Sequence, residues 1–479
     1  MDITLIGAVK GEITYKKQEI SALLKTPRVK LNHGTTFTGK PNTHIHSNDK
    51  NIIKINSKLN LDLKNSIGRA TTHLEQEQKL QVHHPTKTWF VATINDKIVI
   101  GNITPHLTAV HIDTNLHHLK AIFELYFRVA QEFKLRLDEG LSNFAVTESG
   151  ELYYIDDDLY RWDRFISCGQ ILGVYIRSLS WLTAELASKL GKIIRQLILK
   201  HFNDSQYLTV LAEQLRNVFL SKTQRIIANS LINVLNPQQL LSINLDKSRY
   251  IALLADIHAN LPALETVLDF LESKHINRII VLGDIVGYGK QPNACIETLK
   301  AQTNIYIIKG NHDHALATGK FEHGFSQVAQ AALQWSQDKV SSDNKKWLLE
   351  LPPMIRHKDW LAVHGAPVDP TFFNAYVYEM TYEDNLNELQ NKKIPICFHG
   401  HTHIPGVYGR LGSHYDKHYI EETMELKQFT HTLICPGSVG IPRVKPLDAA
   451  QFAIYDKELK QIQFISLLYG QRDANLGKD

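Results

Sequence analysis

The sequence has few cysteines and no paired cysteine motif. Four cysteines, Cys168, Cys295, Cys397 and Cys435, are scattered among 479 residues without a CxxC pair. This usage argues against a disulfide scaffold and suits a reducing cytosol. The first residues also lack the longer apolar core and small-residue cleavage site of a signal peptide, so we expect a cytoplasmic location.

Long apolar runs and a strong net charge are absent as well. No run approaches the roughly 20 apolar residues that span a bilayer, so we expect no membrane partner. The formal net charge is only +4, which gives no clear nucleic-acid footprint. The composition, 43% hydrophobic and 21% charged, is that of a soluble globular protein with the length for two or three domains.

Five short apolar runs between residues 251 and 440 end in residues that can bind metals. They read IALLADIH, IIVLGD, IYIIKGNHD, LAVHG and ICFHGHTH. Helical stretches separate the first three, an order that predicts parallel strands with functional residues at their C-terminal ends. The candidate ligands are Asp256, His258, Asp284, Asn311, His364, His401 and His403.

The chemistry of these residues predicts a site for two metal ions. Carboxylate, imidazole and amide groups without a thiolate suit divalent Mn, Fe, Zn or similar ions. Two ions roughly 3.5–4 Å apart need a bridging carboxylate, and they lower the pKa of a shared water. A single buried histidine is more often a core residue than a ligand, but joint placement at strand ends favours the metal site.

Six motifs in this half resemble, in order, those of the calcineurin-like metallophosphoesterase superfamily, especially its small prokaryotic branch. They are ADIHANLPALE, LGDIVGYGKQPNACIETL, GNHDHALATG, HGAP, GHTHIPG and CPGSVGIPR, within residues 249–457. The resemblance implies an αββα sandwich. It also implies one ion held by Asp256, His258, Asp284 and His403, and a second held by Asp284, Asn311, His364 and His401.

The same resemblance implies a mechanism of phosphate-ester hydrolysis. A hydroxide bridging the ions would attack phosphorus, with His312 as general acid or as stabiliser of the transition state, and with Asp313 orienting its imidazole. Cys435 and Ile441 depart from the family pattern, where Asn and Gln are common. The phosphorylated substrate, whether small molecule, nucleotide or protein, stays open, as does the choice between monoester and diester.

A second pattern lies in LRLDEGLSNFAVTESGELYYIDDDLYRW. The spacing of Asp138, Asn143 and Asp156 resembles the catalytic loop and metal-binding Asp of the protein-kinase-like fold, especially its aminoglycoside phosphotransferase branch. That resemblance implies a two-lobed α+β domain in which Asp138 accepts a hydroxyl proton. Asn143 and Asp156 would hold Mg²⁺ against ATP, while Lys54 would serve the phosphates and pair with Glu75.

This half also departs from the kinase pattern. HGTTFTG, with Gly34 and Gly39, stands in place of a G-x-G-x-x-G loop, and Asp157 and Asp158 follow Asp156. A solvated acidic turn and a surface lysine would give the same residues. The alternative is therefore an unassigned α+β module with a binding or regulatory role.

We thus expect an α/β protein of two domains with a boundary near Asn236-Pro237. Residues 1–240, ordered over about 28–235, would form the kinase-like domain, 248–460 the phosphoesterase, and 461–479 a strand and tail. The first hypothesis is a bifunctional enzyme that adds and removes phosphate. The others are a phosphoesterase with an inactive nucleotide- or partner-binding domain, and a metal-stabilised scaffold without hydrolytic activity.

Overall fold

The computed structural model describes residues 1–29, 43–56, 61–236, 248–321, 324–412, 414–415 and 421–469. Gly34 and Gly39 lie outside these residues, as does Pro237 at the expected boundary. Within the described chain, no helix combines the length and apolar composition needed to cross a membrane.

The chain divides into two compact units. The first comprises Met1–Phe202 and Gln214–Leu231, and the second Asn203–Glu213 and Ile232–Asp479. The second unit therefore includes a short segment, 203–213, that precedes the expected boundary.

Strands and helices alternate along the described chain. The strands are β1 (Asp2–Ala8), β2 (Thr43–Ser47), β3 (Asn51–Asn56), β4 (Thr88–Ile94), β5 (Lys97–Pro105), β6 (Thr108–Ala109), β7 (Leu135–Leu137), β8 (Phe144–Val146), β9 (Leu152–Tyr154), β10 (Leu159–Arg161), β11 (Tyr250–Leu254), β12 (Ile279–Val281), β13 (Ile305–Ile307), β14 (Met354–Arg356), β15 (Trp360–Val363), β16 (Ile396–Phe398), β17 (Gly406–Leu411), β18 (His414–Tyr415), β19 (Thr423–Glu425), β20 (His431–Cys435), β21 (Ala449–Asp456) and β22 (Gln461–Leu468). The helices are α1 (Lys17–Leu24), α2 (Leu63–Leu80), α3 (Leu116–Phe133), α4 (Ile166–Ser178), α5 (Ala184–Phe202), α6 (Gln206–Arg216), α7 (Lys222–Leu235), α8 (Leu261–Ser273), α9 (Pro292–Lys300), α10 (Asn311–Thr318), α11 (Gln327–Lys339), α12 (Ser342–Glu350) and α13 (Tyr382–Lys392).

Two six-stranded sheets form the second unit. Their strand orders are β13-β12-β11-β21-β22-β19 and β14-β15-β16-β20-β17-β18. Strands β11, β12 and β13 run parallel, and so do β15, β16 and β20. The C-terminal ends of each parallel set therefore reach a common edge, where a site can be assembled.

The sheets pack face to face because their strands are apolar on both sides. Ile251 and Leu253 of β11 share one apolar cluster with Phe398 of β16. Successive strand residues point to opposite faces, so Ala252 and Leu254 join a different cluster with the helices α8 to α12. Helix α13 contributes to a third cluster with β15 and β16. The layers are helix, sheet, sheet, helix.

Helix α8 illustrates how the sequence directs this packing. The Asn260 side chain accepts a hydrogen bond from the backbone N–H of Ala263, which satisfies an open donor at the helix start. Leu264, Val267 and Leu271 follow at helical spacing and are buried.

The first unit is built around a five-stranded antiparallel sheet of order β1-β4-β5-β3-β2. On one face, Ala70 and Leu74 of α2 pack with Trp89 of β4. On the other face, Ile20 of α1 packs with Phe90. The smaller sheets β6-β8-β9 and β10-β7 follow in the chain, and α3 packs against α5.

Candidate metal centre

The seven candidate ligands lie at the ends of parallel strands in the second unit. Asp256 and His258 follow β11, Asp284 follows β12, and Asn311 begins α10 after β13. His364 follows β15, while His401 and His403 follow β16. Six of them, namely the two aspartates and the four histidines, are buried. The fold therefore gathers these side chains at one buried location.

Two overlapping groups are formed. In the first, His258 Nε2 lies 3.1 Å from His403 Nε2 and 3.8 Å from Asp284 Oδ2. Asp256 Oδ1 lies 3.5 Å from His403 Nε2. These separations are close to the roughly 3.0–3.4 Å expected between donor atoms on one ion with bonds of about 2.1 Å.

In the second group, His364 Nε2 is the central atom. It lies 3.3 Å from Asp284 Oδ2, 3.0 Å from Asn311 Oδ1 and 3.1 Å from His401 Nδ1. The same Asp284 oxygen thus faces both groups. Its other oxygen accepts a hydrogen bond of 2.9 Å from the backbone N–H of His312.

The hydrogen bonds fix which histidine nitrogens carry lone pairs. His258 Nδ1 faces the Val286 carbonyl at 3.1 Å and His403 Nδ1 faces the Ile441 carbonyl at 2.6 Å. A carbonyl only accepts, so an imidazole in its neutral form donates through Nδ1 here and has a lone pair on Nε2. His364 Nδ1 likewise faces the Leu282 carbonyl. Such backbone partners orient imidazoles for metal binding.

Burial and mutual contacts set the protonation of the cluster. Burial by itself would raise the pKa of Asp284, but the His364 imidazole outweighs it and holds that pKa well below its ordinary value. Burial holds the pKa values of His258 and His401 well below normal, so both rings are neutral and can donate lone pairs. Burial opposes the charge of His364, but Asp284 raises its pKa to about 9.

Backbone geometry at these residues is unusual. Asp256, His258, Asp284, His401 and His403 all have positive φ, between 49° and 69°. Each such conformation costs about 1–2 kcal/mol for a residue other than glycine. These backbone conformations are therefore locally unfavourable, and they orient the five side chains toward the candidate site.

Comparison with known proteins agrees with this geometry. The calcineurin-like phosphoesterase profile matches residues 249–405. An uncharacterized protein of Methanocaldococcus jannaschii is 32% identical over 231 residues, which are 47% of this chain and 89% of that protein. The chain belongs to the calcineurin-like phosphoesterase family. The family predicted from the motifs is thus confirmed.

Solved structures are similar to the same half of the chain. A metallophosphoesterase from Sphaerobacter thermophilus has 30% identity, covering 47% of this chain and 90% of that one, with a TM-score of 0.39. A hypothetical protein from Pyrococcus horikoshii has 23% identity, covering 46% and 89%, with a TM-score of 0.37.

His312 lies beside two of the candidate ligands, Asp284 and His258. His312 Nε2 lies 4.0 Å from Asp284 Oδ2, and its ring contacts His258 and Tyr288. Within the described residues, its buried Nδ1 has no hydrogen-bond partner. Burial lowers the pKa of this imidazole.

The expectation that Asp313 orients the His312 imidazole is wrong. Asp313 Oδ1 accepts hydrogen bonds from the backbone N–H groups of Ile285 and Val286, and Oδ2 accepts one from Gly310. These bonds tie the start of α10 to the loop after β12. Asp313 thus holds the loop of Asp284 in place.

Gly310 has a steric reason to be glycine. A Cβ atom at this position would collide with Oδ1 and the backbone nitrogen of Asp284. The close approach of the two loops therefore requires a residue without a side chain.

In the first unit, the residues of the second sequence pattern lie near one another. Lys54 Nζ donates to the carbonyl of Ile155, which precedes Asp156, and the Ile155 N–H donates to the carbonyl of Asn143. Asp138 Oδ1 accepts a hydrogen bond of 3.0 Å from the N–H of Gly140. Asp156 Oδ1 accepts one of 2.9 Å from the N–H of Asp157.

The expected pairing of Lys54 with Glu75 is wrong. Glu75 is exposed, whereas Glu77, two residues further along α2, is buried. Glu77 Oε1 lies 2.7 Å from Lys87 Nζ, and Oε2 accepts a hydrogen bond of 2.9 Å from Trp89. The reason is helical phase, because Glu77 shares the buried face of Ala70 and Leu74.

Sequence reasoning missed the buried cluster around Lys87. Lys87 Nζ also lies 2.5 Å from Asp157 Oδ1, and Asn102 donates to the other oxygen of Asp157 at 3.1 Å. His83 Nε2 lies 3.6 Å from Glu77 Oε1. The helical spacing of Glu77 with Ala70 and Leu74 could have indicated from the sequence that Glu77 is buried. The contact of Lys87 with Asp157 could not be predicted in this way, because the two residues are far apart in the chain.

Proposed function

We propose that the second unit hydrolyses phosphate monoesters or diesters at two divalent metal ions. Membership of the calcineurin-like phosphoesterase family supports a hydrolase that acts on phosphate esters. Two histidine nitrogens whose lone pairs face each other at the candidate site support the requirement for metal.

The observation that carries the proposal is the contact between His258 and His403. Their Nε2 atoms are 3.1 Å apart, although both rings use Nδ1 as donor to a carbonyl. Two facing lone pairs repel each other unless a cation lies between them. Because burial depresses the pKa of His258, a divalent ion fits this need better than a proton.

Asp284 supports a pair of ions rather than one. Its Oδ2 faces His258 on one side and His364 on the other, at 3.8 and 3.3 Å. We assign the first ion to Asp256, His258, Asp284 and His403. We assign the second to Asp284, Asn311, His364 and His401, with Asp284 shared.

The chain's own residues have separate tasks in this proposal. When bound, the ions would supply positive charge for the phosphate oxygens and lower the pKa of a shared water. His312 is buried beside Asp284 and His258, and it donates a proton or a hydrogen bond to the leaving oxygen; its lowered pKa favours the hydrogen bond from a neutral imidazole. Asp313 holds the backbone of the Asp284 loop through its three N–H bonds.

The test is a substrate panel with the full chain and Mn²⁺ or Zn²⁺, comparing bis(p-nitrophenyl) phosphate, a monoester, dinucleotides and phosphopeptides. Asp284→Asn should reduce kcat/KM by at least about a hundredfold, since even residues that only orient metal ligands contribute 10–100-fold. Asp448→Asn, at an exposed position of the same unit, is the matched control.

Hydrolysis that persists in Asp284→Asn, or a wild-type chain with full metal occupancy that cleaves no ester, would contradict the proposal. The second result would favour the metal-stabilised scaffold. Metal content must therefore be measured on the same samples.

We also propose that the first unit binds ATP and Mg²⁺ and transfers phosphate. The supporting observation is the link from Lys54 to Ile155 and from Ile155 to Asn143, which brings the proposed phosphate-binding and Mg²⁺-binding segments together. The ion pair of Asp157 with buried Lys87 leaves Asp156 as the acid nearer to this link. The competing hypothesis is that the first unit binds a nucleotide or a partner and has no catalytic activity.

Asp156→Asn and Asp284→Asn separate the two activities. Asp156→Asn should abolish phosphate transfer from radiolabelled ATP and leave ester hydrolysis unchanged, and Asp284→Asn should do the reverse. A thermal shift with ATP and Mg²⁺ but no transfer would favour the binding unit. If neither a thermal shift nor phosphate transfer is observed, the first unit does not bind ATP and this part of the proposal is wrong.

A further inference from the structure

A cavity of about 250 Å³ lies beside the candidate metal centre. Three tyrosines, Tyr376, Tyr378 and Tyr408, are among its lining residues. The Tyr376 ring stacks on His401, with ring centroids 3.9 Å apart and an angle of 23° between the planes. Thr402, next to His401 in the chain, also lines the cavity. The cavity therefore borders the proposed site of hydrolysis on the side of His401, with the Tyr376 ring between them.

One wall of the cavity is apolar and carries no charge. Val377 and Ile404 contribute aliphatic surface, and Cys435 contributes a thiol. Burial raises the pKa of Cys435 to about 12, so the thiol stays neutral at physiological pH. Its sulfur accepts a hydrogen bond of 3.4 Å from the Thr402 hydroxyl. This side of the cavity suits an uncharged group of a ligand.

A positive charge lies at another side of the cavity. Arg443 is a lining residue and is partly held by a hydrogen bond of 3.3 Å from Nη1 to the carbonyl of Thr402. Its backbone N–H also donates to the carbonyl of His403 at 3.4 Å. The guanidinium thus lies at the carbonyl of Thr402, the residue between two candidate ligands in the chain, and its charge complements a phosphate group.

We propose that this cavity holds a flat aromatic ring of the ester, so that aryl or nucleotide-type phosphates are the preferred substrates. The inference rests on the proposed hydrolysis at the metal centre. The volume is sufficient, because an apolar cavity of about 150 Å³ accepts benzene. Tyrosine rings stack favourably on nucleobases and other aromatic groups, and the arginine attracts the phosphate.

Non-hydrolysable phosphonates test the inference by direct binding. Calorimetry on the full chain with Mn²⁺ compares phenylphosphonate, cyclohexylphosphonate and methylphosphonate. Phenylphosphonate should bind at least about tenfold more tightly than the other two, as expected for one stacked ring. Tyr378→Ala, at a position that is 45% exposed and outside the metal ligands, should remove most of this preference. Tyr378→Phe keeps the ring and should retain it.

Three results would overturn the inference. They are equal affinity for the phenyl and cyclohexyl compounds, a preference unchanged in Tyr378→Ala, and no binding of any phosphonate. Hydrolysis of bis(p-nitrophenyl) phosphate and of methyl phosphate esters is measured in parallel. Ester hydrolysis without an aromatic preference leaves the proposed function standing and removes this inference. Tight, ring-selective binding without hydrolysis contradicts the proposed function and leaves the cavity as a binding site for aromatic phosphates, not a substrate site.

Discussion

His258 Nε2 and His403 Nε2 lie 3.1 Å apart, although each ring is oriented by a backbone carbonyl at its other nitrogen. In this contact two buried nitrogen lone pairs face each other and repel. A cation bound between them would remove this repulsion. The contact also connects metal binding to the stability of the second unit.

We therefore expect metal ions to stabilise the second unit. A ligand that binds only the folded chain adds about 2.7 kcal/mol at a hundred times its Kd. Mn²⁺ or Zn²⁺ should raise the melting temperature of the chelator-treated chain, and two ions should be found per chain by elemental analysis. His258→Ala should diminish both effects. An unchanged melting temperature with saturating metal would contradict the assignment.

Asp313 should contribute to stability and not to proton transfer. Asp313→Ala leaves three buried N–H groups without their acceptor, and each such loss costs about 1–3 kcal/mol. Thermal unfolding should show the loss equally in the wild-type and His312→Ala backgrounds, because the two side chains are not bonded to each other. A strong dependence on His312 in this double-mutant cycle would instead restore the imidazole-orienting role.

Two glutamates of α2 should differ sharply in their effect on the first unit. Glu77→Gln removes the negative charge beside buried Lys87 and should cost about 3 kcal/mol. Glu75→Gln, in the same helix but exposed, should change stability by less than about 0.5 kcal/mol. Hydrogen exchange of the β4 amides measures the local free energy of opening. Equal effects of the two substitutions would refute the burial argument.

Glu139 should make the first unit less stable as pH rises. Burial raises the pKa of this carboxyl to about 7. Below about pH 4.5 the folded and unfolded states are both protonated, and between pH 4.5 and 7 only the folded state keeps the proton. Stability therefore falls through this range, by on the order of 3 kcal/mol in total.

Glu139→Gln cannot lose a proton and should abolish this fall. Its thermal unfolding should match the wild type near pH 5 and occur at higher temperature near pH 8. Glu148→Gln, at an exposed position, serves as control. If wild type and Glu139→Gln keep the same pH dependence, the buried carboxyl is not its source.

The positions of the candidate ligands could be predicted because they depend on local pattern. Apolar runs such as β11 and β12 form parallel strands, and the residues after them must meet at one edge of the sheet. Asp256 and Asp284 could therefore be selected by their place after a strand. The family motifs added the pairing of residues to ions, which spacing alone does not contain.

The sequence by itself determined the types of side chain that meet at the strand ends and the family to which the chain belongs. Only the tertiary structure decided that Asp313 binds backbone groups of Ile285 and Val286, and that Glu77 rather than Glu75 is buried against Lys87. The positive φ angles of the ligand residues were decided there too. The reason is that these features arise from contacts between segments far apart in the chain, whose packing sets helical phase and loop geometry.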